Sequence, residues 1–204
     1  MSIVGDKFDR QRFVRLLYYM NDEYMDHNWD RLEITKKFAR PDTWSPRKPI
    51  VQILAFTLMP NHMHLLLREI NDGGVSSYMQ KVGQSMTNHH NEKYGEHGSI
   101  FQGSYRSRTI ETDRYLQYAS AYIMVKNVFE LYPNKGLAGA VKNFERAWKW
   151  GSAYPFSSLS HYAGARMPVI DRNVLEEAFP TAHAYKMFAR DVIEGGKWSQ
   201  TEFE

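Results

Sequence analysis

Two histidines separated by one residue, His62 and His64, are the sharpest chemical feature of this 204-residue sequence. On a β-strand over residues 62–68, alternation would point both imidazoles to one face, about 6 to 7 Å apart at the backbone, where they can converge on a cation. The stretch is otherwise apolar, and each buried imidazole without a partner would cost about 1–3 kcal/mol. Two imidazoles completed by an amide and other oxygen ligands suit Mg²⁺ or Mn²⁺, whereas zinc would want further His or carboxylate ligands. With eight histidines in the chain, a purely structural pair stays open.

A second candidate for chemistry is Tyr122, on a predicted helix where Tyr115, Tyr118, Tyr122 and Lys126 recur three and four residues apart. A phenol has a pKa near 10, so it needs help to act as a nucleophile at neutral pH. A nearby divalent cation, or Lys126 one helical turn away, would favour the phenolate. The alternative is a core tyrosine whose hydroxyl is hydrogen-bonded.

The elements that must position these residues are predicted from hydrophobic spacing and turn signals. Apolar residues at helical spacing predict a helix over 6–20, and two β-rich runs joined by a turn at residues 59–61 predict a hairpin. Up to residue 94 we expect, in chain order, a helix over 6–20, a loop over 21–48 with room for a short helix between residues 30 and 38, strands over 50–58 and 62–68, and a helix over 75–94. An extended segment over 104–111 and a helix capped by Thr112 or Asp113 should follow. The rest is predicted as a lower-complexity passage over 136–140, a Trp-rich stretch, a helix near residues 173–179 and a polar end.

Composition excludes several classes of protein. The hydrophobic fraction of 43% suits one domain with a full core, and the absence of cysteine excludes disulfides and cysteine-bound zinc. The apolar runs are too interrupted for a membrane span, and the N-terminus lacks a signal-peptide core. The net charge of +3 permits a polyanionic partner without requiring one. Basic and aromatic residues alternate between Tyr105 and Lys126, as suits a phosphate backbone with splayed bases, although a solvated basic face is the alternative.

Several motifs together resemble the HUH single-strand transposases, specifically the branch of REP-associated tyrosine transposases. The matching segments are Thr57-Leu58-Met59-Pro60-Asn61-His62-Met63-His64-Leu65-Leu66-Leu67, Phe101-Gln102-Gly103-Ser104-Tyr105-Arg106-Ser107, Asp113-Arg114-Tyr115-Leu116, Ala121-Tyr122-Ile123 and, more weakly, Tyr154-Pro155-Phe156-Ser157-Ser158-Leu159. The resemblance runs from about Phe8 to Phe179.

The resemblance implies an α+β fold, in which helices pack against a ferredoxin/RRM-like antiparallel sheet (the HUH endonuclease fold). The histidines would lie on a central strand opposite the tyrosine helix. It also implies a reaction: metal-dependent nicking and strand transfer of single-stranded DNA, with Tyr122 forming a 5′-phosphotyrosine and leaving a free 3′-hydroxyl. We expect a transposase domain over residues 1–150 and a C-terminal extension over 151–204.

Two departures from the family pattern stand out. Many relatives begin with a strand that this chain lacks, so either the sheet is short of a strand or something else fills its edge. The family usually supplies a third metal ligand, Asn or Gln, four positions after the nucleophile, where this chain has Lys126. A lysine ammonium cannot ligate a cation. The third ligand could instead be Asn127, brought into place by a local helix distortion, or Gln117, or a water molecule. We predict Asn127. If none of them replaces the ligand, the metal site is impaired.

The implied substrate is single-stranded DNA with a hairpin or palindromic repeat. The predicted DNA-binding residues are Gln102, Tyr105, Arg106, Arg108 and Lys126. The runner-up function is a domesticated hairpin-DNA binder that no longer cleaves. A third alternative, an RNA-binding domain of RRM-like shape, is less favoured because the sequence lacks the usual aromatic pattern of such domains. We expect a protein of the prokaryotic cytoplasm, associated with the nucleoid and not with a membrane. Both a monomer and a homodimer stay open.

Overall fold

The first long helix begins where an acidic residue caps it. In the computed structural model, which describes residues 3–24, 29–31, 38–171 and 174–196, α1 spans Lys7–Met20. Asp6 and Asp9 form a capping box, in which each carboxylate accepts a hydrogen bond from the other residue's backbone N–H. The predicted helix over residues 6–20 is therefore confirmed, together with its buried face of Phe13, Leu16 and Leu17.

A β-hairpin follows, as the sequence predicts. Strand β1 spans Val51–Leu58 and β2 spans Met63–Glu69, and together they form a two-stranded antiparallel sheet. Almost every residue of β1 is buried, in agreement with a strand covered on both faces. With the helices, this sheet confirms the α+β class. The described residues Trp29–Arg31 form a 3₁₀ turn. Most of the short helix expected between residues 30 and 38 falls on residues 32–37, which lie outside the described part.

Helices make up most of the remaining described chain. Helix α2 spans Gly74–Tyr94 and ends at Gly95, whose φ of 66° lies in the left-handed region that glycine adopts readily. The later elements are α3 (Asp113–Ala121), a π-helical turn (Tyr122–Lys126), α4 (Asn127–Glu130), α5 (Gly136–Lys142), α6 (Phe144–Ser152), α7 (Leu159–Tyr162), α8 (Val174–Ala178) and α9 (Ala182–Glu194). None of the described helices is both long and apolar enough to cross a membrane.

Three segments that the sequence left without regular structure are helical. The lower-complexity passage lies in α5, the Trp-rich stretch in α6, and the polar end begins with α9. The expectation of a polar end does not hold for one face of α9, where Tyr185, Ala189, Val192 and Ile193 are buried. Those residues recur at helical spacing, which polar neighbours obscured.

The chain divides into two compact units. The first comprises the described residues of Met1–Gln52, Pro60–His62 and Leu67–Arg106, and the second those of Ile53–Met59, Met63–Leu66 and Ser107–Glu204. In the first unit α1 packs against α2, and the Tyr78 hydroxyl donates to the Leu17 carbonyl oxygen at 3.1 Å. The predicted boundary between a catalytic domain and an extension at residue 150 stays a prediction about function.

The second unit holds the helix that carries Tyr122. Helix α9 packs against α3 and against the π-turn, with the Tyr118 and Phe188 rings 5.8 Å apart. Gly151 of α6 lies so close to Val128 and Leu159 that a Cβ there would meet each at 3.2 Å. Helix α9 thus packs against the π-turn, and α6 packs closely against α4, which follows it.

Candidate active site

Tyr122 lies where α3 gives way to the π-turn. Helix α3 begins at Asp113 because the Thr112 side chain accepts a hydrogen bond from the Tyr115 N–H, as predicted for a capping threonine. The Tyr122 side chain is only 2% exposed. Tyr122 is therefore almost fully enclosed by its neighbours.

Because of the π-turn, the residue that lies one helical turn after Tyr122 is Asn127 and not Lys126. The Asn127 N–H donates to the Tyr122 carbonyl oxygen, five residues back, instead of to the Ile123 carbonyl as it would in an α-helix. A turn that closes on the fifth residue places Asn127 where an uninterrupted α-helix would place the fourth. This is the kind of local distortion by which Asn127 was predicted to replace the family's third ligand.

Lys126 is buried against the phenol of Tyr122. Its ammonium lies 4.6 Å from the ring centroid, and Nζ is 3.5 Å from the Tyr122 hydroxyl oxygen, a long hydrogen bond. The Glu130 carboxylate accepts from the same ammonium at 2.8 Å. Burial opposes the charge, but the hydrogen bond to Glu130 and the proximity of Tyr122 outweigh it and raise the pKa of Lys126. The lysine therefore stays protonated and can donate to a phenolate oxygen.

The two histidines have different environments. The His64 ring meets the Tyr122 ring edge-on, with centroids 5.8 Å apart, and is half-buried. His62 precedes β2 and is exposed, and its Nδ1 lies 2.7 Å from the Asn61 side-chain oxygen. The expectation that both imidazoles are buried on the strand is wrong for His62, because β2 begins at Met63, and a burial cost does not apply to it.

Asn127, one turn beyond Tyr122, carries a buried amide group. Its side chain is 1% exposed, and its Nδ2 is buried without a hydrogen-bond partner. Buried amides are nearly always satisfied, and the oxygen and nitrogen of an amide have the same shape, so an oxygen turned to that side would suit a cation. Among the described residues, no group of three His, Asp or Glu side chains is arranged to hold a metal. A divalent cation held by the imidazoles and this amide oxygen stays a prediction, in which phosphate and water oxygens would complete the ligands of Mg²⁺ or Mn²⁺.

Four of the predicted DNA-binding residues lie on an exposed segment without regular structure, and the fifth does not. Gln102, Tyr105, Arg106 and Arg108 are exposed, whereas Lys126 is 4% exposed. The Arg108 guanidinium lies 5.2 Å from the Tyr115 ring centroid, which leaves a planar cation beside an aromatic face. DNA contact by any of the five stays a prediction, and what the structure shows for Lys126 is a contact with Tyr122.

Sequence reasoning missed three residues around Tyr122: Glu130, Thr57 and Ser157. Glu130 was detectable, because it stands four residues after Lys126, a spacing at which opposite charges pair on a helix. Thr57 and Ser157 belong to quoted motifs, but no local pattern says that their hydroxyl oxygens meet at 3.0 Å. Only the tertiary structure brings residues a hundred positions apart together.

Comparison with known proteins gives one match. Residues 34–126, just under half of the chain, match the family model described as "Transposase IS200 like". The matched range contains the hairpin and Tyr122 and ends at Lys126, one residue before Asn127. No curated protein and no solved structure matches the chain. This part of the chain is therefore similar to the IS200-like transposases.

Proposed function

We propose that this protein nicks single-stranded DNA and transfers the strand through a 5′-phosphotyrosine on Tyr122, in the manner of the REP-associated branch. The observation that carries the proposal is the buried Lys126 ammonium beside the Tyr122 hydroxyl. A fixed cation close to a phenol favours the phenolate, which is the attacking form. The family match supports the same class of reaction.

In the proposed reaction the Tyr122 hydroxyl oxygen attacks the scissile phosphorus. The phenolic proton leaves to water, the new bond joins the tyrosine oxygen to the 5′-phosphate, and the bond to the 3′-oxygen breaks. The departing oxygen takes up a proton and becomes a 3′-hydroxyl. Strand transfer reverses these steps with another 3′-hydroxyl, and Lys126 then stabilises the departing phenolate. The number of phosphoester bonds is unchanged, so no external energy source is required.

The proposed metal ligands are His62, His64 and Asn127. A divalent cation, Mg²⁺ or Mn²⁺, would supply Lewis-acid polarisation of the scissile phosphate. The support for Asn127 is its buried, unpartnered amide nitrogen, together with the π-turn that sets it one turn beyond Tyr122. The support for the two histidines is their residue type and spacing, and the edge contact that His64 makes with Tyr122.

The proposed substrate is a DNA hairpin or palindromic repeat, bound in part by the exposed segment from Gln102 to Arg108. Arginine and lysine contacts to the backbone would supply affinity, and aromatic faces such as Tyr105 would stack on unpaired bases. Because such repeats lie in a chromosome, we propose that the protein works at the prokaryotic nucleoid. Whether it does so as a monomer or as a homodimer is a matter for measurement of its mass in solution.

A non-cleaving hairpin binder is the second candidate. The observation that favours it is the 2% exposure of Tyr122, together with the ion pair that engages Lys126. In such a protein the tyrosine would be a core residue and the exposed basic segment would carry the function.

The test is covalent capture of DNA. The protein is incubated with labelled single-stranded hairpin oligonucleotides and Mn²⁺, and the products are run on a denaturing gel. We expect a protein–DNA band that disappears in Tyr122→Phe and with EDTA. Tyr118→Phe is the matched control, because Tyr118 lies on the same helix and its hydroxyl also accepts from a cation, Arg114, at 3.4 Å. Hairpin binding without a band in the wild type would establish the non-cleaving binder instead.

A further inference from the structure

The outer edge of β1 is covered by a short piece of chain that follows α6. Ser157 and Thr57 form an antiparallel bridge, flanked by two hydrogen bonds of 2.9 Å, from Leu58 N–H to Phe156 O and from Ser158 N–H to Phe56 O. We call residues 156–158 the edge segment. It satisfies backbone groups that an open edge would leave unpaired.

A chain of hydroxyl groups runs from the edge segment to the π-turn. Leu159 N–H donates to the Ser157 hydroxyl at 3.2 Å, and the oxygens of Ser157 and Thr57 are 3.0 Å apart. The Thr57 oxygen lies 2.7 Å from the Ile123 carbonyl oxygen. Both hydroxyl-bearing residues are 0% exposed.

The direction of these hydrogen bonds follows from the available acceptors. The Phe56 carbonyl, the other acceptor near Thr57, already receives the Ser158 N–H. Thr57 is the donor in these contacts, and its single proton is best used at Ile123, whose carbonyl oxygen is the nearest acceptor at 2.7 Å.

Ile123 is the residue whose carbonyl loses its ordinary partner in the π-turn. In an α-helix the Asn127 N–H would donate to it, but here that N–H donates to Tyr122. The Thr57 hydroxyl supplies a donor to this buried carbonyl. The hydrogen bond thus favours the π-turn over a continuous α-helix, in which Ile123 would receive the Asn127 N–H and would not require Thr57.

We propose that Thr57 and Ser157 are positioning residues that hold the π-turn in register, and through it the relative placement of Tyr122 and Asn127. The effect on the reaction rests on the proposed function, whereas the effect on the register does not. Neither residue touches the reacting atoms. The edge segment belongs to one of the motifs that resemble the family, and this proposal gives it a structural role.

The register can be read directly by nuclear magnetic resonance of the full chain labelled with ¹⁵N and ¹³C. Scalar coupling across a hydrogen bond identifies the carbonyl that accepts the Asn127 N–H. We expect coupling to Tyr122 in the wild type and in Thr57→Ser, which keeps the hydroxyl. In Thr57→Val, which keeps the shape and removes the donor, we expect coupling to Ile123. Retention of the Tyr122 coupling in Thr57→Val would overturn the proposal.

A second pair of variants covers the case in which Thr57→Val does not fold. Ser157→Ala removes the hydroxyl that lies 3.0 Å from the Thr57 oxygen, whereas Ser158→Ala removes an equally buried hydroxyl whose hydrogen bonds within the described chain are to the Phe56 backbone. We expect hydrogen exchange at the Asn127 amide to accelerate at least about tenfold more in Ser157→Ala than in Ser158→Ala. Equal acceleration would mean that edge packing alone matters, and would overturn the proposal.

Covalent capture of DNA distinguishes the effect on the register of the π-turn from the effect on the reaction. If the wild type forms the DNA adduct, Thr57→Val should form it at least about tenfold more slowly, while Thr57→Ser stays near the wild-type rate. If the wild type forms no adduct, the proposed function fails, and the coupling measurement still decides the register. An adduct rate in Thr57→Val equal to that of the wild type, with the register shifted, would contradict the positioning role.

Discussion

Two clusters of buried polar groups, one in each unit, differ in how completely they are satisfied. In the first unit the Asp9 carboxylate accepts hydrogen bonds from the Gly5 N–H at 2.8 Å, from His89 at 2.9 Å, from Lys93 at 2.7 Å and from Tyr94 at 2.9 Å. These donors come from the chain before α1 and from α2. Asp9 therefore ties the start of one helix to the last turns of the other.

The cluster around Tyr122 is left partly open. Asn127 has a buried nitrogen without a partner, the helix is interrupted by a π-turn, and Lys126 makes only a long hydrogen bond of 3.5 Å to the phenol. Unmet hydrogen-bonding capacity costs stability, so its presence in an enclosed site favours a role in binding or chemistry. The comparison suggests that the first cluster contributes stability and the second contributes reactivity.

The largest expected effect is on reactivity, from Lys126→Met. Methionine keeps the volume and removes the cation, so the rate of DNA adduct formation should fall about 10²-fold, as for loss of one positioned donor. The free energy of unfolding should change little, because Glu130 is 37% exposed and water can solvate it. Lys142→Met, at an exposed site on α5, is the control. A large loss of stability with an unchanged rate would reverse the roles assigned to the two clusters.

The converse variant is Asp9→Asn. Asparagine retains the shape but not the charge that receives Lys93 and His89, so the free energy of unfolding should fall by about 2 to 3 kcal/mol. Urea denaturation measures the change. Asp6→Asn is matched to it, because Asp6 shares Lys93 at 2.7 Å but is exposed, and a much smaller change is expected. Adduct formation by folded Asp9→Asn should match the wild type, and a fall in that rate would contradict the division of roles.

Acid sharpens the same comparison. Burial by itself would raise the pKa of Asp9, but hydrogen bonds from Lys93, His89, the Gly5 N–H and Tyr94 outweigh it and lower the pKa below its ordinary value. A lowered carboxyl pKa gives stability that is present above the unfolded pKa of about 3.9 and lost as the pH falls towards the folded value. The difference in unfolding free energy between wild type and Asp9→Asn should therefore be constant from pH 7 to about pH 5 and shrink below about pH 4. A difference that persists undiminished at low pH would show that the charge is not its source.

The smallest expected effect concerns affinity and tests the exposed basic segment. Arg108→Ala should weaken binding of a single-stranded hairpin severalfold and reduce the slope of log K against log salt by about 0.7. Arg108→Lys keeps the charge and should keep the slope, while it loses the planar contact with Tyr115. Fluorescence anisotropy across a salt series measures both. An unchanged slope in Arg108→Ala would remove Arg108 from the DNA contact.

The sequence was sufficient for the elements whose local pattern and environment agree. Phe13, Leu16 and Leu17 recur at helical spacing and are buried in α1, and the apolar run of β1 is buried. The cap at Thr112 and the end of α2 at Gly95 were equally predictable from the sequence, because each depends on a single residue type at a fixed position.

The π-turn that begins at Tyr122 could not be predicted from the spacing of residues along the helix. Tyr115, Tyr118 and Tyr122 continue a helical pattern into the π-turn, and the Thr57 hydroxyl that accompanies it comes from a strand 66 residues away in sequence. The absent ligand at Lys126 was the only local sign of a distortion. His62 shows the opposite error: its strand was predicted one residue too long at the start, and one residue decides between a buried and an exposed imidazole.

The most direct test of the central claim is to locate the covalent bond in the trapped protein–DNA adduct. Digestion with trypsin and nuclease, followed by tandem mass spectrometry, reports which side chain carries the nucleotide. We expect a 5′-phosphonucleotide on Tyr122 and on no tyrosine of α3. Attachment to Tyr115 or Tyr118, with Tyr122 unmodified, would contradict it.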